Sequence, residues 1–215
     1  ESAAAQILIE LLVDGASASV SSAAADANDV VGWKREVDCQ ICCFLHWMFI
    51  QDPLLATLVH FQRYPRAAIR ALVRGVPSMH ICLEFIPEML AQPLADKRLF
   101  AAELLARLCE RFTIPAAFER ARLCVDVFRQ LQRSLPTSES TPLLAAAAPH
   151  LSALAATLPP LRADVGGLLA SAALVRRSAA LDDDRDKDEK STAAADDADE
   201  RTLVDRLVGG VLALK

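Results

Sequence analysis

Four sets of side chains in this chain have types and spacings that could do chemistry. The first is Cys39-x-x-Cys42-Cys43-x-x-His46. Thiolate and imidazole are zinc ligands, and steps of three and four put these positions on one face of a helix. Two helical turns cannot easily wrap four ligands around one ion in a tetrahedron, and no second Cys-x-x-Cys follows. Ile41, Phe44, Leu45, Trp47 and Phe49 surround the motif, which favours thiols packed as small hydrophobes in a core. A thioredoxin-like redox role needs a strand before the motif, and none is visible. No metal and no cofactor is expected.

The second set is Ser78, His80 and Cys82. Serine and histidine two apart do not by that fact make a nucleophile and base, and no Gly-x-Ser-x-Gly turn exposes the hydroxyl. His80 reads as a hydrogen-bonded core or loop histidine, as do His46, His60 and His150. The third set is Arg66, Arg70 and Arg74, at i, i+4 and i+8 on one helix. Guanidinium groups so aligned suit carboxylates or phosphates, while a solvated helix face is the plainer explanation. The fourth is Asp182-Asp183-Asp184, which lacks the glycine and the spacing of a calcium loop. A phosphate-cradling glycine loop is also missing, so no enzyme site is legible.

The elements that must position these residues are helices. The chain has 215 residues, 53% of them apolar and 5% aromatic, with alanine and leucine dominant and seven glycines. That mix favours close-packed helices, and no period-two strand pattern survives anywhere. The net charge of −5 is unevenly spread, since residues 182–200 carry ten acidic and three basic side chains. That stretch alone is −7, which leaves +2 for the rest and gives no general argument for nucleic acid. Six cysteines without small-secreted-domain spacing suggest a reducing compartment. No basic-then-apolar signal segment opens the chain, and no run of eighteen apolar residues predicts a membrane span.

In order, the pattern predicts a first helix over 2–14 ended by Gly15, so residues 1–15 form an N-terminal helix and 16–32 a flexible linker. A helical repeat domain is expected over 33–181. Within it, helices are predicted over 33–51, 54–62, 65–74, 94–112, 115–135, 142–158 and 161–181, punctuated by proline. Pro149 is expected to break or bend its helix, and Gly166-Gly167 to weaken another. At the centre, Pro77 and Pro87 bracket a short apolar helix with Met79, Cys82, Leu83, Ile86 and Leu90 inward and a kink at Pro87. Residues 182–200 read as an acidic disordered insert and 201–215 as a C-terminal helix. Helices joined by short turns predict an all-α fold, an irregular HEAT- or armadillo-like solenoid of antiparallel helix pairs.

Between Val59 and Val125 the residues also resemble a known family. Val59-His60-Phe61-Gln62, Tyr64-Pro65, Pro77-Ser78-Met79-His80-Ile81-Cys82, Phe85-Ile86-Pro87-Glu88 and Ala91-Gln92-Pro93 are similar to the C-terminal part of Integrator complex subunit 2. The likeness continues through Phe100-Ala101, Leu104-Leu105, Leu108-Cys109, Pro115 and Ala121-Arg122-Leu123. It makes Pro77, Ser78, His80, Cys82 and Pro87 family-motif residues of mainly structural role, and it implies a piece of a longer subunit. By resemblance, the function is that of a non-catalytic scaffold segment in a nuclear assembly that associates with RNA polymerase II. That assembly acts in snRNA 3′-end processing and in transcription attenuation and termination.

The partners so implied are other Integrator subunits and, indirectly, RNA polymerase II, with no membrane and no direct nucleic-acid contact. The competing reading is an α-helical module that contacts nucleic acid or a phosphorylated or acidic partner through Arg66, Arg70 and Arg74. Few aromatics look exposed in the sequence, which counts against that alternative.

Overall fold

The computed structural model describes residues 2–18, 27–57 and 66–187. Among them every regular element is helical. In chain order these are α1 (Ser2–Ala18), α2 (Ala27–Gln51), a 3₁₀ turn (Pro53–Thr57), α3 (Arg66–Gly75), a second 3₁₀ segment (Pro77–Phe85) and α4 (Ile86–Ala91). There follow α5 (Ala95–Arg111), α6 (Pro115–Ser134), α7 (Thr137–Thr157), a 3₁₀ turn (Pro159–Leu161) and α8 (Arg162–Lys187). The chain divides into two compact units, Glu1–Met89 and Leu90–Lys215.

In the first unit α1 packs on α2 and α3, and α2 packs on α3 and on both 3₁₀ segments. Its core takes Ile9 and Leu12 from α1, Leu45 and Phe49 from α2, Ile69, Leu72 and Val73 from α3, and Met79, Cys82 and Leu83 from the second 3₁₀ segment. α3 and α2 approach closely at Gly75. A Cβ built on Gly75 would overlap the Cys42 Sγ and stand 3.1 Å from the Cys42 Cβ. Glycine is therefore required by a neighbour here, in addition to its usual place at a helix end.

The central element differs from the predicted kinked α-helix. Pro77–Phe85 winds as nine residues of 3₁₀ helix, and α-helix begins only at Ile86 (φ −56°, ψ −46°). The inward set is as expected, with Met79, Cys82, Leu83, Ile86 and Leu90 all buried. Pro87 is compatible with this winding. It has no N–H for the carbonyl of Leu83, so i→i−4 pairing would orphan that carbonyl, whereas i→i−3 pairing hands it to the Ile86 amide. Pro87 then sits in the first turn of α4, where a missing N–H costs nothing.

In the second unit α5 packs on α6 and α7, α6 and α7 on α8, and α6 on α7. The connections are short. The Phe112 amide donates to the Leu108 carbonyl (2.7 Å) before Pro115 opens α6. The Leu135 amide donates to Leu131 (2.9 Å) before Pro136. The α5–α7 contact is built from small and branched side chains. Ala101, Ala102, Ala106, Leu105 and Leu108 of α5 are buried, as are Ala145, Ala147, Ala148, Leu144 and Leu151 of α7. Arg129 of α6 reaches Asp126 (2.7 Å) and Asp164 of α8 (2.9 Å), and Gln132 donates to the Ser171 hydroxyl (2.9 Å).

Several predicted boundaries shift. α1 runs through Gly15 to Ala18, and α2 starts at Ala27 instead of Trp33, so only residues 19–26 of the expected linker fall outside the described structure. α7 starts at Thr137 instead of near Thr141, because the Pro136 carbonyl accepts from the Glu139 and Ser140 amides (3.0 and 2.9 Å) and winds the expected loop into a first turn. Its helix also continues through Pro149, and α8 through Gly166-Gly167. α8 carries on to Lys187, so residues 182–187 of the acidic run are helical; extending an existing helix avoids the cost of nucleation. The rest of that run, the expected C-terminal helix over 201–215 and most of the predicted 54–62 helix lie outside the described residues.

Two substitutions test this packing. Gly75→Ala is expected to lower stability by about 1–3 kcal/mol through overpacking, with most of the loss recovered when Cys42→Ala is added. Strictly additive urea midpoints for the pair would refute the contact. Pro149 is exposed on α7 and leaves the Ala145 carbonyl without its helical donor. Pro149→Ala is therefore expected to raise stability by about 1–2 kcal/mol, the full helix penalty less the proline's effect on the unfolded chain. A fall in melting temperature would show that the proline is needed for a bend.

Candidate functional site

The residues singled out for chemistry do not converge. On α2 the inward face is formed by Ile41, Leu45, Met48 and Phe49, and Cys42 is buried against Gly75. Cys39 and Cys43 are exposed, contrary to the expectation of core thiols for the whole motif. The reason is angular. Residues 39 and 43 are one turn apart and share a side of the helix, whereas Cys42 lies about 100° round from Cys43, toward the core. The neighbouring Cys43, first by its charge and then by a hydrogen bond, raises the Cys39 thiol above its ordinary value, with Glu36 adding to the effect. His46 is half-buried, and its Nδ1 has no hydrogen-bond partner among the described residues. No three His, Cys, Asp or Glu side chains among the described residues come together as metal ligands.

The Pro77–Pro87 motif is likewise split by the helix. Pro77 is exposed at the start of the 3₁₀ segment, and Pro87 is half-buried in α4. The Ser78 hydroxyl is buried with no hydrogen-bond partner among the described residues. His80 is exposed, and its Nδ1–H donates to the Pro77 carbonyl (3.1 Å), which fixes the tautomer. Ser78 and His80 thus point to opposite environments and form no nucleophile–base pair. The Cys82 Sγ lies 3.9 Å from the Ala56 carbonyl as a weak donor, and burial pushes its thiol up to about 12. A thiol so protonated is no nucleophile at neutral pH.

Arg66 opens α3, with its side chain outside the described set. Arg70 and Arg74 are exposed, opposite the buried Ile69, Leu72 and Val73. Two features were not legible beforehand. Glu103 of α5 and His150 of α7 face each other from half-buried positions, His150 Nε2 to Glu103 Oε2 3.9 Å. The other is on the outer face of α2, where Trp33, Phe44, Trp47 and Ile50 are exposed although the aromatics were expected to be mostly covered. The signal for it is the absence of any charged residue from Cys39 to Gln51, where a solvated face should be charged. No helix among the described residues is long and apolar enough to cross a membrane.

Burial also raises Cys109 and Cys124 to about 12 from an ordinary 9.0. A thiol raised by folding is stabilised in its protonated form, so its contribution is complete below pH 9.0 and is lost as pH climbs toward 12. Maleimide at pH 8 is expected to modify Cys39 and Cys43 in the native protein, with Cys82, Cys109 and Cys124 at least about a hundredfold slower. Mass spectrometry of the labelled peptides reads this, and prompt native labelling of Cys82 would contradict its placement.

With this geometry in view, comparison with known proteins adds the family. The family model for Integrator complex subunit 2 matches residues 1–181. The Homo sapiens Integrator complex subunit 2 is 44% identical over 135 residues, 63% of this chain and 11% of that protein. The Dictyostelium discoideum homolog is 51% identical over 88 residues, 41% of this chain and 6% of its own length. The Drosophila melanogaster subunit is 33% identical over 171 residues, 79% of this chain and 15% of that protein. This chain therefore spans a small part of the relatives' length, and the matched stretch contains the bracketed 3₁₀ element, both helix units up to Leu181 and the outer face of α2. On that evidence the chain belongs to the Integrator complex subunit 2 family.

Proposed function

We propose that this chain is a non-catalytic scaffold segment of the Integrator complex, whose work is to hold other Integrator subunits in place. The observation that carries the reading is the family match over residues 1–181, to relatives named as subunits of a complex. The site geometry agrees with it, since the reactive residue types are spread over separate faces, Cys42, Cys82, Cys109 and Cys124 buried and Cys39, Cys43 and His80 exposed. The proposal extends to a nuclear location and to an indirect association with RNA polymerase II in snRNA 3′-end processing and transcription attenuation.

A stacked-pair architecture supports the scaffold reading within the second unit. There α5 touches α7 and α6 touches α8, the next-but-one contacts of helix pairs piled in two layers. Connections as short as Phe112–Ile114 and Leu135–Pro136 suit antiparallel neighbours. An irregular HEAT-like stack of this kind presents long surfaces to partners.

Arg66, Arg70 and Arg74 are the candidate contact, because Arg70 and Arg74 stand exposed on a helix whose other face, Ile69, Leu72 and Val73, is buried. Reversing all three to Glu in the full-length subunit is expected to leave the melting temperature within a few degrees. It should weaken recovery of one Integrator subunit, with a salt-sensitive loss of association rate of about tenfold. Co-precipitation from nuclear extract, beside a naked RNA and DNA binding assay, is the measurement. Failure of the wild type to recover any Integrator subunit overturns the functional reading. Equal recovery by wild type and mutant discards the arginine contact alone, and salt-dependent nucleic-acid binding lost in the mutant favours the competing module.

A further inference from the structure

Between Ser140 and Thr157, α7 carries a single ionisable side chain, His150. The rest of that stretch is alanine, leucine, proline and small hydroxyls. His150 meets Glu103 of α5, the helix with which α7 shares the most extensive contact in the unit. Nε2 and Oε2 stand 3.9 Å apart, beyond hydrogen-bond length and at the outer reach of an ion pair. The two side chains are only 17% and 15% exposed. This chain supplies that cover itself, so the pair is enclosed whatever else a longer subunit adds.

Burial favours one charge state of the pair. With a neutral imidazole the two groups together carry a net negative charge in a mostly dry site. With an imidazolium they carry none, and the ring N–H can donate to the carboxylate.

No other neighbour offers His150 that compensation. On α5, Arg98 donates to the Leu90 carbonyl (3.3 Å), and Arg107, one turn beyond Glu103, donates to both oxygens of Glu110 (2.9 Å each). Cys109 of α5 and Cys124 on the buried face of α6 are thiols that burial pushes up to about 12. The half-buried cations of α6 are Arg120 and Arg129, the latter tied to Asp126 and Asp164. The face that α8 buries, Val165, Leu168, Leu169 and Ala172, is apolar, and Arg162 at its start donates to the Ala155 carbonyl (3.3 Å). The Pro159–Leu161 turn has no charge, and Glu139, about three turns back on α7, is exposed. The surrounding cations oppose a positive imidazole, which leaves Glu103 as the group that can hold one.

We propose that Glu103 and His150 form a proton-operated clasp between α5 and α7. Uptake of one proton from solvent at the imidazole turns the 3.9 Å approach into an ion pair and stiffens the helix pair, and its release slackens it. A proton held more tightly in the folded state stabilises fully below about pH 6.5, and that gain is lost as pH climbs through the folded-state midpoint. The clasp stands independently of the scaffold function.

The test uses the full-length subunit. Exchange of the imidazole Cε1 hydrogen for deuterium, followed against pH by mass spectrometry of the His150 peptide, gives the midpoint without a substitution. His150 is expected to titrate at least about half a pH unit above the ordinary 6.5, and Glu103→Gln to lower that midpoint by at least about one pH unit. The exposed His80 is the reference that stays unchanged in both proteins. Backbone amides of α5 and α7, corrected for intrinsic exchange, should be at least about threefold better protected at about pH 6 than at about pH 8 in the wild type. In Glu103→Gln that gain should vanish. A wild-type midpoint at or below about 6.5 overturns the clasp, and this holds even if the variant fails to fold. A raised midpoint that survives in Glu103→Gln overturns it too, by assigning the charge to another acid, as does equal wild-type protection at the two pH values.

Discussion

Everything in this protein depends on how closely its helices can approach one another. With aromatics at 5% and alanine and leucine dominant, the cores cannot be filled by a few large rings. They are filled by bringing backbones together. At Gly75 the α3 backbone lies directly against Cys42 of α2, leaving no room for a methyl group. In the second unit, alanines on α5 and α7 are buried on both sides of the most extensive helix pair. Close packing of this kind gains dispersion contacts over long lengths of helix, but it tolerates little change in volume.

The Pro77–Phe85 segment answers the same constraint in another way. Between two prolines ten residues apart the chain winds as 3₁₀ helix, and Met79, Cys82, Leu83 and Ile86 still reach the interior. Winding at three residues per turn settles the backbone pairing and keeps those side chains inward. His80 closes back on the Pro77 carbonyl and leaves Ser78 as a buried hydroxyl with no hydrogen-bond partner among the described residues. A motif of serine, histidine and cysteine in eleven residues is thus a structural device, and its chemistry is spent on shape.

Function follows from what the packing leaves uncovered. The inner faces of α2 and α3 are committed to one core, and their outer faces differ in character: arginines on α3, aromatic and aliphatic side chains on α2. On the scaffold reading proposed above, surfaces of both kinds have a use, since charge sets the encounter rate and apolar anchors supply most of the affinity.

Helical class, the absence of period-two patterning and the inward set on the Pro77 segment were all legible in the sequence, because helical periodicity and proline positions are local properties. The family likeness between Val59 and Val125 was legible for the same reason. Three things were decided only in three dimensions. Periodicity could mark the Pro77 helix as buried but could not choose 3₁₀ over α winding, since the same inward residues serve either. It could group Cys39, Cys42, Cys43 and His46 but could not say which edge of α2 faces the core, since an apolar helix has no polar face to orient it. And it could not reveal that Gly75 is held by Cys42, thirty-three residues away in sequence, because a close approach between two helices is written in neither of them alone.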